Sequence, residues 1–214
     1  IKYDYANSNL LGTNGDYNGS STPDSLTYKG SLTSIDQYYW NNATETNTWS
    51  ESNLNKTNLN IDYINNIGSE WANKIATTTW KVGGNGWDNI EKSVPSVAYQ
   101  NEIVAPAENT TYDAKIGLMY VSDYGFAASP SVWSTILNDY KTVTVNNWMY
   151  MGHDEWTIFR ASDSSEVGFV VYNDGGVYGN LVISHFGVRP SFSLSSSITY
   201  VSGSGSMSDP ILIN

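Results

Sequence analysis

No cysteine occurs among the 214 residues, so disulfides, thiolate nucleophiles and Cys-ligated zinc are excluded together. Any fold of this chain rests on packing and hydrogen bonds alone. The length suits one fairly large domain with a real core. Charged residues are only 14%, against about 25% in an average globular protein. Asn, Ser and Thr number 24, 28 and 18, so amides and hydroxyls rather than ions are expected to wet the surface. Aromatics are also 14%, led by 16 Tyr and 8 Trp. That composition argues against disorder, which favours charge and few rings.

The formal net charge is −11. A surface of that sign releases no counterions from a phosphate backbone, which argues against nucleic-acid binding. Anionic membrane surfaces are disfavoured likewise. No run approaches ~18 apolar residues, so direct membrane insertion of this fragment is not expected. The chain opens on Ile1 without a signal-peptide pattern and reads as a processed product or a piece of a longer polypeptide.

Residues 1–44 read as loop-rich, above all the Gly-, Asn- and Pro-dense run Gly12–Pro23. Over 49–80, Leu54, Leu59, Tyr63, Ile64, Ile67, Trp71, Ile75 and Trp80 recur at spacings of three to five. This predicts two short amphipathic helices, with Ser50 and Ser69 as caps and a break near Asn58–Asn60. Strands are expected at Ile116–Val121, Trp156–Phe159, Val167–Val171 and Val188–Leu194. A closing hairpin is expected from 198–201 and 211–213 around Gly203-Ser204-Gly205. Helices in the first half and strands in the second indicate a single α+β domain over 1–214.

The landmarks Trp80-Lys81-Val82-Gly83-Gly84, Ala114 through Ala127, Asn147-Trp148, Trp156-Thr157-Ile158, Gly187-Val188-Arg189-Pro190 and Gly203–Ser206 before Asp209-Pro210 follow one another in order. Over roughly 45–214 the chain resembles bacterial surface proteins whose C-terminal domain has a C-type-lectin-like (formylglycine-generating-enzyme-like) fold. Some relatives are pilin-like, and others are variable proteins of diversity-generating retroelements. The resemblance implies a rigid scaffold with a ligand-binding face of irregular loops near the C-terminus. In variable relatives the diversified positions precede the Gly-x-Arg motif, which places that window at 176–186. Ordinary drift on an exposed loop would leave the same pattern.

The residues themselves point to the same stretch. Tyr172, Asn173, Tyr178, Asn180, Leu181, Ile183, Ser184, His185 and Phe186 form an aromatic, amide and apolar mixture. Antibody loops use such a mixture. The competing reading is a polar loop with core Tyr and Phe beneath it. Arg160 and Arg189 are the only two Arg. With Trp156 they are read as structural, the guanidinium forks bracing loops against the sheet. His153-Asp154-Glu155 lacks the spacing of a metal site. Calcium is compatible with lectin-like folds, but the Glu-Pro-Asn and Gln-Pro-Asp tripeptides are absent, and no cofactor is expected. Nucleophile elbows, phosphate loops and His-Glu-x-x-His are missing too.

The expected function is therefore non-enzymatic recognition outside the cell: an adhesin or receptor-binding domain on a cell or virion surface, contacting a protein or glycan ligand. Binding should depend only mildly on salt. The alternatives are the globular head of a pilin-like subunit that assembles into a filament, or a carbohydrate-active enzyme with two suitably spaced carboxylates.

Overall fold

The first of the two expected helices starts where a side chain can serve its free amides. Ser52, not Ser50, does this: its Oγ accepts the Asn55 N–H at 3.2 Å and donates to the Trp40 carbonyl. In this computed structural model, which describes residues 5–22, 34–206 and 208–214, the helix then runs unbroken over 54–66. Leu54–Tyr63 winds in wide π-type turns and Ile64–Asn66 in α turns. The expected break at Asn58–Asn60 is absent: both amides tie the helix to other segments, and Asn60 also donates to the Asn55 carbonyl one turn back at 3.1 Å. Asn58 Nδ2 donates to the Leu11 and Asn14 carbonyls at 2.8 and 2.7 Å. Asn60 donates to the Ile116 carbonyl and accepts the Ile116 N–H, both at 3.0 Å. The chain breaks at Gly68, where φ is 83°, and Ser69–Lys74 forms the second helix with Gly68 rather than Ser69 at the cap position.

Among the described residues the strands are β1 (Tyr17–Ser21), β2 (Ile35–Tyr39), β3 (Thr78–Lys81), β4 (Thr111–Ala114), β5 (Glu155–Arg160), β6 (Val167–Val171), β7 (Val177–Leu181), β8 (His185–Phe186), β9 (Tyr200–Ser202) and β10 (Leu212–Ile213). They pair as β1-β2-β8, β3-β4, β5-β6-β7 and β9-β10. All of these ladders are antiparallel, so the protein is a mixed α+β structure. The clean split into a helical first half and a stranded second half does not hold, since β1 to β4 precede residue 115. Of the loop-rich stretch expected at 1–44, residues 1–4 and 23–33 lie outside the described residues, and β1 and β2 occupy much of the rest.

In the β5-β6-β7 meander, β5 and β6 are buried on both faces. Trp156, Ile158 and Val170 face a core with Trp40, Leu59, Trp80 and Leu118. Phe159, Phe169, Val171 and Val177 face a second core with Tyr124, Leu137 and Tyr140. Period-two alternation thus assigns successive residues to two different cores. The two three-stranded sheets meet where Glu155 bridges Gly187 in parallel.

Two expected strands are extended segments with isolated bridges only. Gly117 pairs with Ser191, and Ile75 with Leu194. At 116–121 the chain turns into the helix Val121–Phe126. Asp123 Oδ2 accepts the Tyr120 N–H at 2.9 Å, while the Glu102 carboxylate accepts those of Val121 and Ser122 at 2.9 and 2.8 Å. Those are the amides that a helix start leaves unpaired. Landmark glycines mark close packing here. A Cβ at Gly117 would lie 2.8 Å from the Trp80 indole, and one at Gly83 would lie 1.5 Å from the Glu108 carbonyl oxygen. The closing hairpin forms as β9-β10.

Glu102 is fully buried. Burial pushes its carboxyl up from 4.5 to about 7, against the opposing pull of the Ser122 and Val121 hydrogen bonds. Between these values the folded chain keeps a proton that the unfolded chain releases. The contribution of Glu102 to stability is therefore fully present below pH 4.5 and is lost as pH rises through 7. Asp16, Asp154 and Glu155 are displaced upward by burial too and add to the trend. Urea unfolding across this range should show the wild type losing stability with rising pH. Glu102→Gln should remove up to ~3 kcal/mol of that loss. Identical slopes in the two proteins would show that Glu102 is not the group responsible.

Candidate ligand-binding face

After β6 the chain reverses through a tight turn. The Tyr172 N–H donates to the Gly176 carbonyl at 2.9 Å and the Gly175 N–H to the Tyr172 carbonyl at 2.8 Å. Gly175 has φ 91°, a conformation that a side chain resists. Asn173 is held on both sides: its N–H donates to Asp154 Oδ1 at 2.6 Å, and its carbonyl accepts the Tyr150 hydroxyl at 2.5 Å. The rings of Tyr172 and Tyr178 meet edge to face at 5.1 Å, and the Tyr178 hydroxyl donates to the Asn138 carbonyl at 3.2 Å.

Asn180 organises the next turn. Its Nδ2 donates to the Tyr172 hydroxyl. Its Oδ1 accepts the Leu181 N–H at 2.8 Å and the Ser184 hydroxyl at 2.9 Å. Val182 is fully buried. Its carbonyl accepts the Trp40 and Asn41 N–H groups at 3.0 and 3.1 Å, and its N–H donates to the Glu166 carbonyl at 2.8 Å. With the intervening residue pinned, Leu181 and Ile183 stand out, 44% and 40% exposed. His185 is exposed beside them, its ring 5.8 Å from that of Tyr39.

The residues singled out from sequence therefore separate into groups. Leu181, Ile183 and His185 are exposed, and Tyr172, Asn173, Tyr178, Asn180 and Ser184 are half-buried. Phe186 is a core residue rather than a contact residue. It is only 9% exposed and packs on Trp156 at 4.8 Å. The reason is register: Phe186 pairs with Tyr38, which turns its ring inward while its neighbour His185 faces out. Sequence reasoning missed Glu45 and Glu166, which line a hollow of about 50 Å³ with Leu181, Val182 and Ile183. Glu45 has φ 58°, and no local pattern announces that a residue 136 positions before Leu181 joins this face.

Arg189 lies behind the face. Its Nε and Nη2 grip both oxygens of Glu155, Nη2 at 2.5 Å. Its guanidinium also sits 5.9 Å from the Tyr5 ring centre. Burial pushes the Glu155 carboxyl up, and the Arg189 charge pulls it back. Arg160 ties three segments together, with Nη2 on Glu108 at 2.6 Å, Nη1 on Asn47 Oδ1 at 3.4 Å and Nε on the Val82 carbonyl at 3.3 Å. The Trp156 indole donates to the Tyr38 carbonyl at 2.8 Å. In His153-Asp154-Glu155 the side chains part company: His153 packs near Tyr5, Asp154 holds Asn173, and Glu155 holds Arg189. Among the described residues no group of three His, Cys, Asp or Glu side chains is placed to share a metal ion.

Comparison of the chain with family models, with curated proteins and with solved structures finds no match.

Denaturant unfolding should separate the supports of this face from its contact residues. Phe186→Ala should cost ~3–5 kcal/mol by emptying a core site. Arg189→Ala should cost a similar ~3–5 kcal/mol by orphaning the buried Glu155. Ile183→Ala should fall within ~0.5 kcal/mol of wild type, as surface positions do. A stable Arg189→Ala protein would move Arg189 from support to contact.

Proposed function

We propose that this chain is a non-enzymatic recognition module of C-type-lectin-like architecture. It acts outside the cell as an adhesin or receptor-binding domain on a cell or virion surface. The observation that carries the reading is the display of Leu181, Ile183 and His185 on a turn whose other residues are anchored by Asn180 and Val182. Contact residues held in place before binding lose little entropy when a ligand arrives. The landmarks around 114–127 and 187–190, together with antiparallel sheets joined by irregular loops, support the architecture.

A protein ligand suits this face better than a sugar. The face projects outward, and the hollow beside it, about 50 Å³, is far smaller than the ~300 Å³ at which small-molecule pockets begin. Glu45 and Glu166 at its rim favour a partner patch that is apolar at its centre and basic at its edge. Apolar contacts and hydrogen bonds carry most of the affinity, so salt matters little.

The structural-subunit reading has an observation of its own. The β9-β10 hairpin exposes Tyr200, Val201, Ile211 and Leu212, each more than half accessible. Its outer edges are unpaired among the described residues, which is how strands recruit further chains. Concentration-dependent association in sedimentation would favour it.

Protein and glycan arrays probed with the wild type and with Ile183→Asp distinguish these readings. The expected outcome is a protein target whose affinity drops at least ~10-fold in Ile183→Asp, with an unchanged melting temperature. A protein target bound equally well by both chains would remove this face from the interaction.

A further inference from the structure

A second hollow shares no lining residue with the 181–185 turn. The helix Val121–Phe126 and the segment 147–149 flank an open groove of about 380 Å³, lined by Asp123, Phe126, Trp148, Ser191, Met119 and Met149 among others. This volume lies in the range of small-molecule sites. Trp148 is 59% exposed and Phe126 is 37% exposed.

The Phe126 ring and the backbone that carries Trp148 are both held in place. Phe126 is clamped between Trp133, edge to face at 5.1 Å, and Tyr99 at 6.5 Å. Trp133 is itself tied by its indole N–H to the Ala128 carbonyl at 2.8 Å. Trp148 follows the buried Asn147, which donates to the Tyr124 carbonyl and accepts the Met149 N–H, both at 2.9 Å. The Trp148 N–H donates to the Ala127 carbonyl at 3.3 Å. Rigid backbone thus holds a large indole out in water, where it gives up burial that would favour folding.

We propose that this groove binds a neutral glycan, with sugar rings stacked on Trp148 and Phe126. The C–H face of a pyranose is weakly positive and complements the negative face of an aromatic ring. Asp123 is exposed, and its Oδ2 is oriented by the Tyr120 N–H at 2.9 Å. Its carboxylate accepts hydrogen bonds from vicinal hydroxyls, and Ser191 offers a further hydroxyl. The groove lining contains no Lys, Arg or His, and the chain carries a net charge of −11, so an anionic ligand is unfavoured. Tyr99, Phe126 and Trp133 form a contiguous strip of exposed rings, and Phe126 shares the groove with Trp148. A row of stacking platforms fits a ligand of several linked rings rather than a single one.

The site shares no residue with the 181–185 turn and stands without it. Its test is saturation-transfer NMR and intrinsic tryptophan fluorescence with neutral cello-, malto-, manno- and chito-oligosaccharides and with tetramethylammonium. At least one oligosaccharide should bind the wild type. Trp148→Ala should weaken that binding at least ~10-fold while leaving the melting temperature unchanged, and Asp123→Asn, which keeps the helix cap, should weaken it less. Ile183→Asp should leave it intact even if the protein-binding reading of the turn fails. Four results would overturn the proposal: no oligosaccharide bound at millimolar concentration, binding indifferent to Trp148→Ala, binding lost in Ile183→Asp, or tetramethylammonium bound in place of sugar, as an aromatic cage for cations would do.

Discussion

The fold depends on asparagine side chains buried beneath its loops. Asn47 donates to the carbonyls of Ala161, Ser164 and Val167, tying the chain before the first helix to the β5-β6 turn. Asn58 fastens the 11–14 loop, Asn85 the 101–105 segment, and Asn147 the end of the helix Val121–Phe126. These amides bond carbonyls in loops and in neighbouring elements, and a buried carbonyl left alone is costly. A net gain of ~1 kcal/mol per bond is small, but several bonds across one junction approach the ~2–4 kcal/mol of a disulfide. In a chain without cysteine these amides do the cross-linking. The high Asn content is thus only partly a wetting agent, since Asn41, Asn47, Asn55, Asn58, Asn85 and Asn147 are buried.

Two buried acids show two ways of holding charge away from water. Glu155 has a cation, and its pairing with Arg189 joins β5 to the segment after β8. Glu102 is held instead by hydrogen bonds from Val121 and Ser122 at a helix start, and burial pushes its carboxyl up to about 7 against their pull. Burial raises both carboxyls; at Glu155 the Arg189 charge opposes the rise, and at Glu102 the opposition comes from hydrogen bonds. The acid that starts the helix beside the aromatic groove thus has its carboxyl pushed toward neutral pH.

How far the sequence foretold this structure depended on where each residue's partner lay. β6 was legible because Val167, Phe169 and Val171 alternate with Gly168 and Val170, and both sets are buried. The closing hairpin was legible because its strands and glycine turn are neighbours in the chain. The helix over 54–66 was misjudged at Asn58–Asn60, because the partners that make those amides harmless sit at residues 11, 14 and 116. Ile116–Val121 read as a strand because its helix-starting acid, Glu102, is 19 residues upstream of Val121. Of the candidate face, the exposed triad was legible as a chemical mixture. The inward turn of Phe186 was not, because it follows from pairing with a strand near the other end of the chain.

That pairing also orders events during synthesis. Tyr38 and Tyr39 of β2 wait for Phe186 and His185, so one edge of β2 stays open until those two residues have left the ribosome. Trp40 and Trp156, both sealed in the finished molecule, have no complete enclosure before then. Contacts so distant along the chain make folding slow and leave sticky intermediates long-lived.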